Sequence, residues 1–138
     1  RGWGSIGRAR YGIERIRWTG LVPFEIKEVK IQPDGFLVEF TRPFDPASAG
    51  NAESWRCSNY TYSYHAKYGS DEIGTMTNVV RAAEVVSPTS VRLRLDGMRS
   101  GGMGFVHEIT IPGVRSADQE EPLHNAAYYT VQRIPTGG

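Results

Sequence analysis

The stretch Val29-Lys30-Ile31-Gln32-Pro33-Asp34-Gly35-Phe36-Leu37-Val38-Glu39-Phe40-Thr41 reads as a β-hairpin. Proline presets φ in a tight turn and glycine accepts the positive φ such turns need, so Pro33-Asp34-Gly35 is a turn signal with a mechanism. After it, Phe36, Val38 and Phe40 alternate with Leu37, Glu39 and Thr41, placing three large apolar groups on one face of a strand. Burying each contributes about 1.5–3 kcal/mol. Before the turn, Phe24 and Ile26 share one parity while Val29 and Ile31 share the other. That switch calls for a bulge near Lys27 and Glu28.

Downstream of the hairpin, Asp45 ahead of Pro46 is an N-cap followed by a proline at the first helical position, which predicts a single helical turn over residues 47–49. Gly50 or Asn51 would end it with a left-handed cap. Trp55, Cys57 and Asn59 then lead with one parity into Tyr60, Tyr62 and Tyr64, which have the other; an unbroken strand would set the three tyrosines on one face. Residues 71–78 read as a polar loop, and residues 79–86 as a strand without clean alternation. Ser87-Pro88-Thr89 turns the chain into Val91, Leu93 and Leu95, which alternate with Arg92, Arg94 and Asp96 as a half-buried strand does. Residues 97–104, with four glycines, connect to a strand with Phe105, His107, Ile109 and Ile111 on one face. Pro112-Gly113 closes that strand, and residues 128–134 form the last. Seven or so short strands with turn signals between them predict an all-β, two-sheet β-sandwich with one short helical turn.

Composition agrees with that class. The 138 residues include 16 Gly and 8 Pro with only 22% charged residues, enough chain for one domain with a true core and too little for two. A net charge of +1 supplies no field for nucleic acid or an acidic membrane surface, and no apolar run reaches the ~18 residues of a transmembrane helix. Cys57 is the only cysteine, so no intrachain disulfide forms. Residues 1–20 are rich in Gly and Arg, with Trp3 and Trp18 near the ends and enough alternation over residues 13–18 for one short strand. They read as an extension or the end of a preceding domain, and residues 21–138 as the sandwich module. A first residue of Arg rather than Met reads as a piece of a longer protein.

The candidate site residues are Tyr60, Tyr62, Tyr64, His65 and Tyr68. Tyrosine offers large, rigid contact area with a hydrogen-bonding tip, and an aromatic row with polar neighbours suits the C–H faces and hydroxyls of a polysaccharide. Against this stands a structural role, because tyrosines fit pleated surfaces for their own sake. The alternative is a metal held by His65, His107 and His124, since imidazole suits zinc or copper; their spacing is not that of a local metal motif, and His107 sits on an apolar parity as a core histidine does. A lone Cys57 reads as a small buried hydrophobe. No Ser-His-Asp set or carboxylate pair can be assigned, and Gly101-Gly102-Met103-Gly104 lacks the Lys and helix of a phosphate loop.

The order Phe40-Thr41-Arg42-Pro43-Phe44-Asp45, then Pro46 and the small residues up to Ala49, then Glu53-Ser54-Trp55, resembles the bacterial Ig-like domains of the S-layer type. More narrowly, the chain resembles the C-terminal modules of large secreted or periplasmic planctomycete proteins described as sugar dehydrogenases or haem-binding proteins. That match rests on Arg1-Gly2-Trp3-Gly4-Ser5, Trp18-Thr19-Gly20, Pro23-Phe24-Glu25-Ile26, Tyr64-His65-x-x-Tyr68-Gly69-Ser70, Gly113-Val114-Arg115-Ser116 and Leu123-His124-x-x-Ala127-Tyr128-Tyr129-Thr130. The resemblance implies a quinone-dependent propeller enzyme upstream and a module that itself carries no catalysis or cofactor. A c-type haem needs Cys-x-x-Cys-His, and Cys57 stands alone. The expectation is thus an Ig-like accessory module of a periplasmic or extracellular protein, docking on or stabilising the preceding domain of the same polypeptide, with polysaccharide as the other candidate partner.

Overall fold

A computed structural model describes residues 15–136. Its seven strands are β1 (Ile26–Gln32), β2 (Gly35–Phe40), β3 (Arg56–Tyr62), β4 (Glu72–Ser87), β5 (Ser90–Asp96), β6 (Phe105–Thr110) and β7 (Ala126–Val131). The hairpin forms as its turn residues require, with Gln32 opposite Gly35 across Pro33-Asp34. Lys27 is the extra residue between the pairs Ile26–Phe40 and Glu28–Glu39, so the bulge lies where the parity switch placed it. Gly35 has φ 153°, and a Cβ built there would stand 2.0 Å from the Leu93 carbonyl oxygen of β5. The turn is tied to β5 a second time through Asp34, whose carboxylate accepts from Arg92 at 2.6 Å and Arg94 at 2.5 Å.

All pairings are antiparallel, in the order β1-β2-β5-β4-β3-β6-β7. The expected all-β fold of seven strands is therefore present, with the two layers joined into one almost closed sheet. The join is β4. Up to Asn78 it pairs with β3, and from Val79 onward it pairs with β5. Folding the sheet at that point sets β1-β2-β5 against β3-β6-β7, and the core fills the space between. Phe36, Val38, Val91 and Leu93 are fully buried from one layer, and Cys57, Ile109 and Val131 from the other. At one end Phe40 stacks on Phe24 at 5.2 Å and stands edge-on to Phe44 and Trp55, within the range where aromatic pairs add to area burial.

Local signals explain the connections. Asp45 accepts hydrogen bonds from the amides of Ala47 and Ser48, capping the helical turn α1 (Pro46–Ala49). Gly50 follows at φ −81° rather than in the left-handed cap expected of it, and Asn51 is not left-handed either. The chain does not reverse there: Asn51 caps a second turn, the 3-10 turn Ala52–Ser54, through its side chain. The Trp55 indole then donates to the Ala49 carbonyl at 2.9 Å, closing both turns over the core.

Three further expectations are corrected. Residues 71–78 are not a loop, because β4 begins at Glu72. Thr75 and Thr77 are exposed there, and Gly74 sits at φ 63°, so the segment lacks the apolar alternation by which a strand is recognised. The last strand starts at Ala126 and ends at Val131, earlier at both ends than residues 128–134. Arg15 to Thr19 form no strand, while Ile13, Glu14 and Trp3 lie outside the described residues. Among the described residues no helix is long and apolar enough to cross a membrane.

The end of the sandwich opposite Trp55 is polar inside. Asn59, fully buried, donates to Asn78 Oδ1 at 2.8 Å and to the Gly97 carbonyl at 3.1 Å. Asn78 in turn donates to the Asp96 carbonyl at 3.0 Å. Arg99 reaches back from the β5–β6 connection to the Asn59 amide oxygen and backbone, with its guanidinium 4.4 Å over the Phe105 ring. This network fastens β3, β4 and β5 where the sheet folds.

Candidate functional site

The tyrosine row does not form a single face. β3 ends at Tyr62, so Tyr64, His65 and Tyr68 lie beyond the ladder, in an exposed segment without regular structure. Exposure divides the row sharply, at 4% for Tyr60, 43% for Tyr62, 89% for Tyr64 and 107% for Tyr68. Only Tyr60 and Tyr62 share the strand face, the outer one, with their rings edge-on at 5.6 Å.

What completes that face comes from strands distant in sequence. Glu72 on β4 lies directly opposite Tyr62. Glu108 on β6 lies opposite Ser58 of β3 on one side and Tyr128 of β7 on the other. The Tyr128 hydroxyl donates to Glu108 Oε1 at 3.3 Å. Tyr62, Val106, Thr130, Tyr64 and Met103 border an open groove of about 260 Å³ beside the cluster. Burial pushes the Tyr60 phenol well above its ordinary pKa, with the adjoining Tyr62 hydroxyl and the Glu72 and Glu108 charges acting in the same direction. The Glu108 charge is the main cause raising Tyr128, with burial second. The face therefore combines neutral phenols with two carboxylates, a surface for stacking and for accepting hydrogen bonds or positive charge. Sequence reading missed Glu72, Glu108 and Tyr128. Alternation with His107 and Ile109, on the apolar face of that strand, sets Glu108 outward, but only strand order brings it beside Tyr128.

The three histidines are not brought together. His107 is fully buried; its Nδ1 lies 3.2 Å from the Phe105 carbonyl and its Nε2 accepts from the Arg99 amide at 3.4 Å. Both ring nitrogens serve backbone, which removes His107 from the His65, His107 and His124 set. His65 is exposed, and His124 Nδ1 lies 2.7 Å from Glu25. Among the described residues no three His, Cys, Asp or Glu side chains are placed to hold a metal. Cys57 is buried as expected, and burial pushes its thiol up to about 12, far from the thiolate that nucleophilic chemistry needs.

Burial lowers the His107 pKa below its ordinary 6.5, with the Arg99 charge acting in the same direction. The unfolded chain then binds the proton more readily than the folded one. Its contribution to stability is complete above about pH 6.5 and is lost as pH falls below it, by up to ~1.4 kcal/mol per pH unit. We expect the urea midpoint to drop between pH 7.5 and pH 5, and His107→Gln to flatten that slope; an equal slope in the variant would contradict the assignment.

No family model matches the chain, and no curated protein matches it either. Among solved structures, the N-terminal part of the bacterial S-layer protein SbsC is similar with a TM-score of 0.59 at 17% identity, over 80% of this chain and 24% of that one. Domains 1–6 of SbsC give a TM-score of 0.59 at 16% identity, over 82% of this chain and 14% of that one. The crystal structure of the S-layer protein rSbsC(31-844) gives 0.58 at 17% identity, over 80% of this chain and 14% of that one. The chain thus spans about a quarter or less of the structures it resembles. At such identity the likeness is one of fold, and it agrees with the S-layer-type domain read from the residues around Phe40 and Asp45. It does not extend to the planctomycete dehydrogenases.

Proposed function

We propose that this chain is a non-catalytic, Ig-like accessory module of an exported, multidomain bacterial protein, working by contact with a neighbouring domain. The observation that carries this reading is the fold shared with SbsC, in which the matching region is a minor part of a much longer surface-layer chain. An S-layer protein lies at the cell surface, which favours an extracellular or periplasmic setting here. The buried Cys57 and the separated histidines support a module without chemistry of its own. Leu21 and Val22, exposed at 77% and 46%, offer apolar contacts of the kind a neighbouring domain covers. The enzyme parent implied by the planctomycete resemblance is the finer form of this proposal.

The test is to delete the module from its longer polypeptide. The melting temperature of the adjoining domain should fall, while turnover per folded molecule, if that domain is an enzyme, stays the same. An unchanged melting temperature, or a lost chemical step in a folded remainder, would overturn the reading.

A further inference from the structure

We propose that the outer face formed by Tyr62, Glu72, Glu108 and Tyr128 receives the strap of residues 15–18 from a second copy of this chain, so that copies associate head to tail. The inference rests on reading the module as a non-catalytic contact unit, and it adds a second copy of the chain to the neighbouring domain as a partner.

Charge is divided unevenly along the chain. Residues 1–18 contain five arginines against the single Glu14, whereas the remainder holds eleven basic and fourteen acidic residues. The described part of the basic segment is Arg15-Ile16-Arg17-Trp18, exposed throughout, with Ile16 at 98% and Trp18 at 71%. Neither Arg15 nor Arg17 makes an ion pair among the described residues. The strap is thus an uncovered segment in which guanidinium groups alternate with large apolar side chains.

The receiving face has the complementary chemistry. Nine carboxylates of the described surface lie in ion pairs with Lys, Arg or His, and neither Glu72 nor Glu108 is among them. Both stand beside exposed phenol rings, an arrangement that favours arginine twice, through charge-assisted hydrogen bonds to carboxylate and through stacking on the aromatic face. The adjoining groove of about 260 Å³, lined by Tyr62, Tyr64, Met103 and Val106, offers apolar wall to an indole. A neutral glycan would use the phenols and the groove but would leave the two carboxylates without positive charge. Because strap and face are different parts of the surface, the contact is heterologous, and repeated from copy to copy it builds rings or open chains.

Sedimentation velocity on the intact chain tests this. At low salt the mean mass should rise with concentration, and at about 1 M salt, where screening acts within ~3 Å, it should return to that of one chain. Arg15→Gln/Arg17→Gln/Trp18→Ser blocks the strap, and Glu72→Gln/Glu108→Gln blocks the face; each variant alone should remain a single chain. An equimolar mixture of the two should form dimers and nothing larger, since one intact strap then meets one intact face. Far-UV circular dichroism confirms that both variants keep the fold. Wild-type protein that stays single at low salt, or variants that associate like wild type, would overturn the inference. So would cellohexaose shifting the Tyr62 and Tyr128 NMR signals of a chain that does not self-associate, which would assign the face to glycan. None of these results bears on the effect of deleting the module, so the broader reading stands or falls separately.

Discussion

Gly35→Ala should cost roughly 4 kcal/mol or more, a loss on the scale of a small domain's entire stability. The methyl would stand 2.0 Å from the Leu93 carbonyl oxygen, an overlap with the backbone of β5, an interior strand flanked by β2 and β4, rather than with a side chain that could swing away. Relief requires parting β2 from β5, where Asp34 and its two arginines cross the same junction, and Phe36 and Leu93 would part with it. Gly101→Ala separates this contact from backbone strain in general. Gly101 lies at φ 97° with no atom within 4 Å of a built Cβ, so that substitution should cost only ~1–2 kcal/mol. Urea unfolding of both variants reads the difference. A Gly35→Ala chain within about 1 kcal/mol of wild type would show that the turn adjusts freely.

Asn59→Leu should remove about 3 kcal/mol although leucine is close in size and more apolar. The Gly97 carbonyl would lose its 3.1 Å donor and Asn78 its 2.8 Å partner, and Arg99 would lose the amide oxygen it holds. A buried polar group left without a partner costs more than a made hydrogen bond contributes, so deleting one member strands the others. A double-mutant cycle with Asn78→Leu makes this measurable. The double variant should be less destabilised than the two single losses added together, and strict additivity would mean that Asn59 and Asn78 act independently.

The features legible in the sequence were those set by neighbours within a few residues. The Lys27 bulge, the Asp45 cap and the burial of Phe36, Val38 and Phe40 follow from parity and turn chemistry, and each lies where those rules put it. His107 was legible for the same reason, since its apolar parity marked it as a core residue. What escaped depended on strand order. Tyr60 and Tyr62 share a face, yet one is buried and the other exposed; cover for a strand residue comes from the strands beside it. The first half of β4 lacks regular apolar alternation, its Ile73 and Met76 being exposed and its one buried side chain the polar Asn78, and its identity as a strand comes from backbone pairing with β3. The Glu72, Glu108 and Tyr128 grouping is invisible to any window along the chain, because three separate strands must be laid side by side to assemble it.

That sixteen-residue β4, paired on one half with β3 and on the other with β5, also governs how the module bears load. Two sheets held together by side chains alone can slide or peel apart at the core. Here the layers share a continuous covalent backbone, so tension applied to one passes into the other along β4 and is resisted in shear by the ladders on either side. In a protein built as a row of such units, stretching would load the edge ladders β1–β2 and β6–β7 first, while β4 holds the two layers together behind them.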